Sequence, residues 1–316
     1  MTLDEVYNLW VVWKERMVKR STILFYKSQY IRTIRPALGD KEISELTKKT
    51  IIPILYGWVD KGYSEKYCGD LLIIIRMIMR FAEDELEESN VPSTTWKMVW
   101  PADAKRSDNK IVRYEKNDLN KIIGYLSANP SHINLAILLV CCTGMRIGEI
   151  CGLRWEDIDI DRRLIRVSRT YERVWNEDAG SSELIMSSTK TRSSTREIPI
   201  IPALLPMVKN FSKTVRPDYY VCTGSPKPQE PRTLRNLYRN VVINKVGLDH
   251  VIKFHGLRHT FASSLIESGV DVKTTAAILG HADVSTTLNV YVHPSEDNKR
   301  TAINRAMGKI SGLLKK

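Results

Sequence analysis

The chain has 316 residues, 43% of them hydrophobic and 27% charged, with a formal net charge of +12. That composition describes a soluble globular protein of about two domains, each with room for a sizeable core. The positive surplus asks for an anionic partner, nucleic acid or acidic membrane, and a spanning helix is excluded because the longest apolar run, LAILLVCC at 135–142, is too short.

The surplus is unevenly placed. Residues 1–108 carry 17 basic and 16 acidic side chains, whereas 109–316 carry 31 and 20. The opening MTLDEVYNLW lacks the basic stretch and apolar core of a signal peptide, so a cytoplasmic location is expected. Cys68, Cys141, Cys142, Cys151 and Cys222 are odd in number and form no C-x-x-C pair, which reads as reduced core thiols.

Taken in order, Thr2 and Glu5 form a capping box for a helix to about Met17, with Leu9, Trp10 and Trp13 on its apolar side. A second helical stretch opens at Lys19 and Arg20 and contains Lys27, Arg32 and Arg35. Residues 1–35 hold seven basic and three acidic side chains, a surplus that suits DNA phosphates and suits a solvated basic face nearly as well. ALGDKEISELT is a turn and connector to a third helix, Lys48 to Asp60. Ser64 starts a fourth, whose stripe is Leu71, Ile74, Ile75, Ile78 and Phe81. Arg76 and Arg80 lie off that stripe, and Arg80 stands four residues before Asp84, the spacing of a weak helical ion pair. Four helices without a catalytic cluster suggest a DNA-binding module over 1–90, with Lys19, Arg20, Lys27 and Arg76 as its candidate contacts. Pro92, Pro101 and a polar run at 103–110 mark 91–112 as an interdomain linker.

An amphipathic helix from Tyr114 to Leu126 and a buried one from Ile133 to Cys142 open the next domain. There follows TGMRIGEICGLRWEDIDI, in which Thr143 and Gly144 turn the chain and Arg146 and Glu149 stand one helical turn apart. A guanidinium can fork two donors onto a phosphate, and a nearby carboxylate can hold that fork in place. The period then alternates: Leu164 to Val174, Glu183 to Thr189 and Thr195 to Ile200 read as three strands of one small antiparallel sheet. Pro226, Pro228 and Pro231 mark a loop. A helix from Thr233 to Val246 follows, with Arg232, Arg235 and Arg239 as candidate phosphate or groove contacts.

Last comes HGLRHTFASSLIESGVDVKTTAAILGHADVSTTLNVY, residues 255–291. His255 and Arg258 share one helix face, and Gly280 ends a second helix, Val272 to Leu279, so that His281 emerges from the loop beyond it. Tyr291 follows ten residues later. Singly, each reads first as a packing residue; together they are a phosphate-handling set, three hydrogen-bond donors and a nucleophile. His255 and His259 have the spacing of zinc ligands on a helix, but the segment lacks the Glu of H-E-x-x-H and has no nearby Cys.

Thr-Gly-x-Arg-x-x-Glu followed by Leu-x-Trp-x-Asp-Ile-Asp, and then H-x-x-R, Leu-Gly-His and Tyr-x-His, resemble the two signature boxes of the tyrosine recombinases, the phage integrase family. The likeness covers 113–294, the expected catalytic domain, and extends more weakly over 1–90, where LGDKEISELT resembles a connector of integrase core-binding domains. It implies a mainly helical two-domain protein with a small three-stranded antiparallel sheet, a core-binding domain and a catalytic domain closing round duplex DNA. The long hairpin at about 172–182 is similar to an insertion in integrases of phages and conjugative transposons. The resemblance further implies Tyr291 as nucleophile, Arg146, Arg258, His255 and His281 around the phosphate, Glu149 as a positioner and Lys190, favoured over Arg192 by its Thr-Lys-Thr context, as general acid; Arg192 is a candidate DNA contact. Because the chain opens directly on the helical module, an additional arm-site domain is not expected.

Such chemistry needs no metal or cofactor, since the tyrosyl ester conserves the bond that religation uses. The tail, 295–316, carries a helix from about Asn298 to Leu314 with Ile303, Ala306, Ile310 and Leu313 on one side. In the family such a helix docks on a neighbouring protomer, which implies a tetramer on two DNA sites, alongside any DNA-bending accessory protein; packing in cis is the alternative. The rival readings are a type IB topoisomerase and a DNA-binding regulator without catalysis.

Overall fold

The computed structural model describes residues 1–101, 104, 112–188, 195–281, 283, 284, 300, 303 and 304. Lys190, Arg192, Tyr291 and the tail helix lie outside the described residues. The chain divides into two compact units, Met1–Lys110 with Arg173–Ile185, and Ile111–Glu172 with Met186–Lys316.

The first unit is built on α1 (Leu3–Glu15), α2 (Arg20–Gln29), α3 (Arg35–Leu38), α4 (Lys48–Asp60) and α5 (Glu65–Asp84). α1 starts where Thr2 and Glu5 exchange hydrogen bonds, Thr2 N donating to Glu5 Oε2 at 2.8 Å and Glu5 N to Thr2 Oγ1 at 3.3 Å. Its inward stripe is Leu3, Val6, Tyr7 and Trp10; Leu9 falls off it and is exposed, contrary to expectation, because one residue is a 100° rotation on a helix. All five expected stripe residues of α5 are buried, and they meet the α1 stripe, Tyr30, Ile34, Ile51 and Leu55 in one core.

Residues 91–101, part of the expected interdomain linker, are tied back onto this unit. Arg76 donates to the Trp96 carbonyl at 2.5 Å and lies over the Trp96 ring, Arg80 donates to Thr94 Oγ1 at 3.3 Å, and Tyr56 donates to the Val99 carbonyl at 2.9 Å. Arg76, expected at DNA, thus tethers the strap, and Arg80 holds Thr94 rather than Asp84. A two-stranded hairpin, β3 (Arg169–Asn176) and β4 (Ser181–Ser188), adds its tip to the same unit. There Arg20 pairs with Glu183 at 2.8 Å, Lys27 with Asp178 at 2.7 Å, and Arg32 with Glu177 while stacking on Trp175. A phosphate reaching Arg20 or Lys27 therefore competes with a carboxylate.

The second unit surrounds α7 (His132–Thr143), nearly all of whose residues are buried, with α6 (Lys116–Ala128), α9 (Leu205–Ser212), α10 (Pro231–Asn240) and α11 (His255–Glu267) packed around it. The short α8 (Ile147–Gly152) and α12 (Val272–Leu279) complete the helices that carry the site. α9 was not foreseen: Pro206 reads as a breaker, but in a first helical turn the missing N–H costs nothing. The sheet departs from expectation too. β1 (Ile158–Asp159), β2 (Leu164–Val167) and β5 (Arg196–Pro199) form a three-stranded antiparallel sheet in the order β1-β2-β5, while β3 and β4 form a separate two-stranded one. The expected strand Leu164 to Val174 is therefore two strands, parted at Ser168. In β5 burial alternates, with Arg196 and Ile198 inward and Glu197 and Pro199 outward.

Gly144 ends α7 at φ +65°, and an added Cβ would lie 2.6 Å from Phe261 Cδ1 and 2.7 Å from Leu279 Cδ2. Gly144→Ala combines left-handed strain with overpacking, each worth about 1–3 kcal/mol, so we expect a loss of roughly 2–6 kcal/mol in denaturant unfolding. A loss under about 0.5 kcal/mol would contradict this packing.

Candidate functional site

The site is assembled at three helix ends. Arg146 is the N-cap of α8, and its backbone N–H donates to Glu149 Oε2 at 2.8 Å while its Nη1 donates to Glu149 Oε1 at 2.7 Å. Glu149 caps the short helix and aims the guanidinium with one carboxylate. His255 is the first residue of α11 and Arg258 stands one turn on. α12 ends at Gly280, φ +69°, where the His281 N–H reaches back to the Ala276 carbonyl at 3.0 Å. The αL turn closes the helix and releases His281 toward the other groups.

Three successive carbonyls at that helix end each accept from a different arginine. Arg196 Nε donates to Ile278 O at 2.7 Å, Arg258 Nη2 to Leu279 O at 2.7 Å, and Arg146 Nη2 to Gly280 O at 3.3 Å. Arg258 also donates through Nη1 to Gly144 O at 2.9 Å. The last carbonyls of a helix have no partner within it and carry the negative end of its dipole, so they suit guanidinium groups. Arg258 is 2% exposed and forms the floor of the site. The Arg146 side chain is 37% exposed and remains open to a ligand.

Arg196 was missed by the sequence reading. It is buried and grips Glu149 with both terminal nitrogens, at 3.1 and 2.9 Å. The signal was present, since an alternating REIPI with Ile198 and Ile200 inward puts Arg196 on the buried face. Burial pushes the Glu149 pKa up, but the hydrogen bonds and charge of Arg196, then those of Arg146, outweigh it and leave it below the ordinary value.

The two histidines are held neutral. His255 keeps surface exposure, yet the protein packed about it, followed by His259, Arg258 and Arg146, pushes its pKa down to about 4. Its ring lies edge-on to His259, centroids 4.8 Å apart. His281 is half-buried, and burial, Arg258, Arg146, His255 and Arg196 push it down to about 4 as well. Both folded values lie below the ordinary 6.5 of an unfolded histidine, so the unfolded chain binds more protons in between. The contribution of these two groups to stability is therefore fully present above pH 6.5 and is lost as pH drops toward 4. A His281→Asn variant should lose less of its melting temperature than wild type between pH 6.5 and 4.5; parallel curves would remove His281 from this account.

The structure thus brings together Arg146, Glu149, His255, Arg258 and His281, five of the seven residues expected to carry the chemistry, and adds Arg196. Lys190 and Tyr291 lie outside the described residues. On α10, Arg232, Arg235 and Arg239 are all exposed, and Arg239 shares an open cleft of about 570 Å³ with Asn236, Asn240, Asn244 and Asp249. Lys19 is the N-cap of α2. Among the described residues no group of His, Cys, Asp and Glu could hold a metal, and no helix is long and apolar enough to cross a membrane.

Residues 2–58 match the amino-terminal SAM-like domain of phage integrases. The chain is 27% identical over 324 residues to a tyrosine recombinase XerC-like protein of Caldanaerobacter subterraneus subsp. tengcongensis, covering 96% of this chain and 82% of the relative. Its fold is similar to that of the Tn1549 transposon integrase solved with transposon right end DNA, with a TM-score of 0.73 at 21% identity over 96% of this chain and 99% of that one. A lambda integrase tetramer bound to a Holliday junction gives a TM-score of 0.61 at 22% identity, over 94% and 80%. With residues 113–298 matching the phage integrase family as a whole, across both signature boxes and the arginine-lined helix end, the chain belongs to that family, the tyrosine recombinases.

Proposed function

We propose that the protein cuts and rejoins duplex DNA at defined sites, for integration or excision of a mobile element, through a 3′-phosphotyrosyl intermediate on Tyr291. The observation that carries this reading is the convergence of Arg146, Arg258, His255 and His281 at the end of α12. In-line attack on a phosphodiester needs charge on the two non-bridging oxygens, an acceptor for the tyrosine proton and a donor for the departing 5′ oxygen. Arg146 and Arg258 supply the charge. Neutral His255 and His281 can each donate through one ring nitrogen and accept through the other, which suits them to the phosphate and to the tyrosine proton.

The Tyr291 oxygen bonds to phosphorus as the bond to the 5′ oxygen breaks, and Lys190 gives that oxygen its proton. Attack by a 5′-hydroxyl of a second strand reverses the step. Exposed Arg232, Arg235 and Arg239, with Lys19 and Arg192, serve as DNA contacts, and Arg20 and Lys27 join them where the hairpin acids yield. The tail helix docks in trans and supports a tetramer on two DNA sites, with a DNA-bending protein as an accessory, all in the cytoplasm.

The test is covalent trapping on nicked suicide duplexes tiled across the flanks of the native gene, followed by strand exchange between two labelled copies of the site found. Exchange with a mapped 3′-phosphotyrosyl adduct is expected. Relaxation of plasmids lacking the site, without exchange, would instead make the protein a topoisomerase. No adduct on any duplex would leave a DNA-binding regulator.

A further inference from the structure

Glu149 presents an electrostatic problem. It is 4% exposed, and its carboxylate is bonded to Arg146, which is more open to a ligand than the buried Arg258 and Arg196 of the same site. A carboxylate paired with a single guanidinium would cancel much of the charge that a phosphate needs. β5 resolves this by placing Arg196, 8% exposed, on both oxygens of the same carboxylate in a two-pronged ion pair. The trio keeps a net positive charge.

We infer that Arg196 is a positioning residue for strand cleavage: it clamps the Glu149 carboxylate, which in turn aims Arg146 at the scissile phosphate. This rests on the reading of Arg146 as a phosphate-holding group. Arg196 acts through Glu149 and touches no substrate. Its Nε bond to Ile278 O also ties β5 to the last turn of α12, fixing the end from which His281 emerges.

Among the described residues the charged and titratable groups that act with Glu149 are Arg146 before α8, Arg196 on β5 and His255 at the start of α11. Among them Arg196 is the foremost force keeping the buried carboxyl ionised, followed by Arg146. Without it the carboxyl gains a proton more readily, releases Arg146, and cleavage acquires a dependence on deprotonation.

The experiment measures single-turnover adduct formation by the full chain on a suicide duplex between pH 5.5 and 8.5. Arg196→Gln should lower the rate about 10²-fold at pH 6, the size of loss that follows misplacement of a catalytic group. Part of that loss should return as pH rises, while DNA affinity stays within about threefold. Arg196→Lys, which keeps the charge but not the two-pronged grip, should lose about tenfold with little pH dependence. The double variant Arg196→Gln, Glu149→Gln should stay slow and lose the pH dependence, because the titrating carboxyl is gone.

A flat profile for Arg196→Gln, or equal losses for Arg196→Gln and Arg196→Lys, would overturn the inference. Should Arg196→Gln fail to fold by near-ultraviolet circular dichroism, the decision passes to Arg196→Lys against Glu149→Gln. A loss in both, with the Arg196→Lys profile unmoved, supports the clamp; a wild-type rate in either overturns it. Arg146→Gln is the control: a wild-type rate there refutes the reading of the site itself, independently of Arg196.

Discussion

Tyr291→Phe is expected to bind its duplex with wild-type affinity and to leave no protein–DNA adduct on a denaturing gel. The substitution removes one oxygen and nothing else from the side chain, so affinity, set mainly by cationic contacts to phosphates, should not change. Cleavage by contrast depends wholly on that oxygen in the proposed chemistry, because the ester it forms is the intermediate. Every other group in the set only stabilises, orients or exchanges protons. A free tyrosine has a pKa of about 10, so the neutral His255 and His281 and the cations beside them bear the task of activating it. A surviving adduct in Tyr291→Phe would take the nucleophile away from position 291.

The second large effect is expected at Arg258. Two of its five N–H donors are anchored on the carbonyls of Gly144 and Leu279, from the ends of α7 and α12. Arg258→Ala strands both acceptors in a buried setting, at about 1–3 kcal/mol for each unsatisfied group. It also deletes a charge held where the phosphate is expected, and loss of a comparable transition-state donor costs about 10²–10³-fold in rate. We therefore expect Arg258→Ala to melt well below wild type and to form adduct at least about 10³-fold more slowly, even at temperatures where it is folded. Arg258→Lys separates the two effects: an ammonium restores charge but cannot span both carbonyls, so the rate should recover less than the melting temperature. A folded Arg258→Ala cleaving within about tenfold of wild type would remove Arg258 from the phosphate.

What the sequence made legible was governed by local chemistry. α4 and α12 have the boundaries expected, Lys48–Asp60 and Val272–Leu279, because side chains of Thr47 and Asp271 accept backbone N–H groups at their starts and Gly280 closes α12. The signature boxes were legible because phosphate chemistry demands residue types at set spacings. What escaped depended on distant partners. Periodicity runs smoothly through Ser168, and only pairing with Arg196–Pro199 on one side and Ser181–Ser188 on the other reveals two sheets. Arg76 read as a candidate DNA contact, and its tie to Trp96, twenty residues away, could not be seen from periodicity. Arg20 and Lys27 meet acids more than 150 positions along the chain. Arg196 sat unnoticed because a charge in an alternating strand is ordinarily assigned to water.

The row of carbonyls closing α12 makes one turn of helix a shared ruler for three cations. Adding or deleting a single residue there would swing each acceptor through about 100° and misalign all three together. Side chains on the outer face of α12 can change without moving these acceptors, but its length cannot. A one-residue insertion in α12, between the H-x-x-R and Leu-Gly-His pieces, would then silence the enzyme as thoroughly as the loss of either piece.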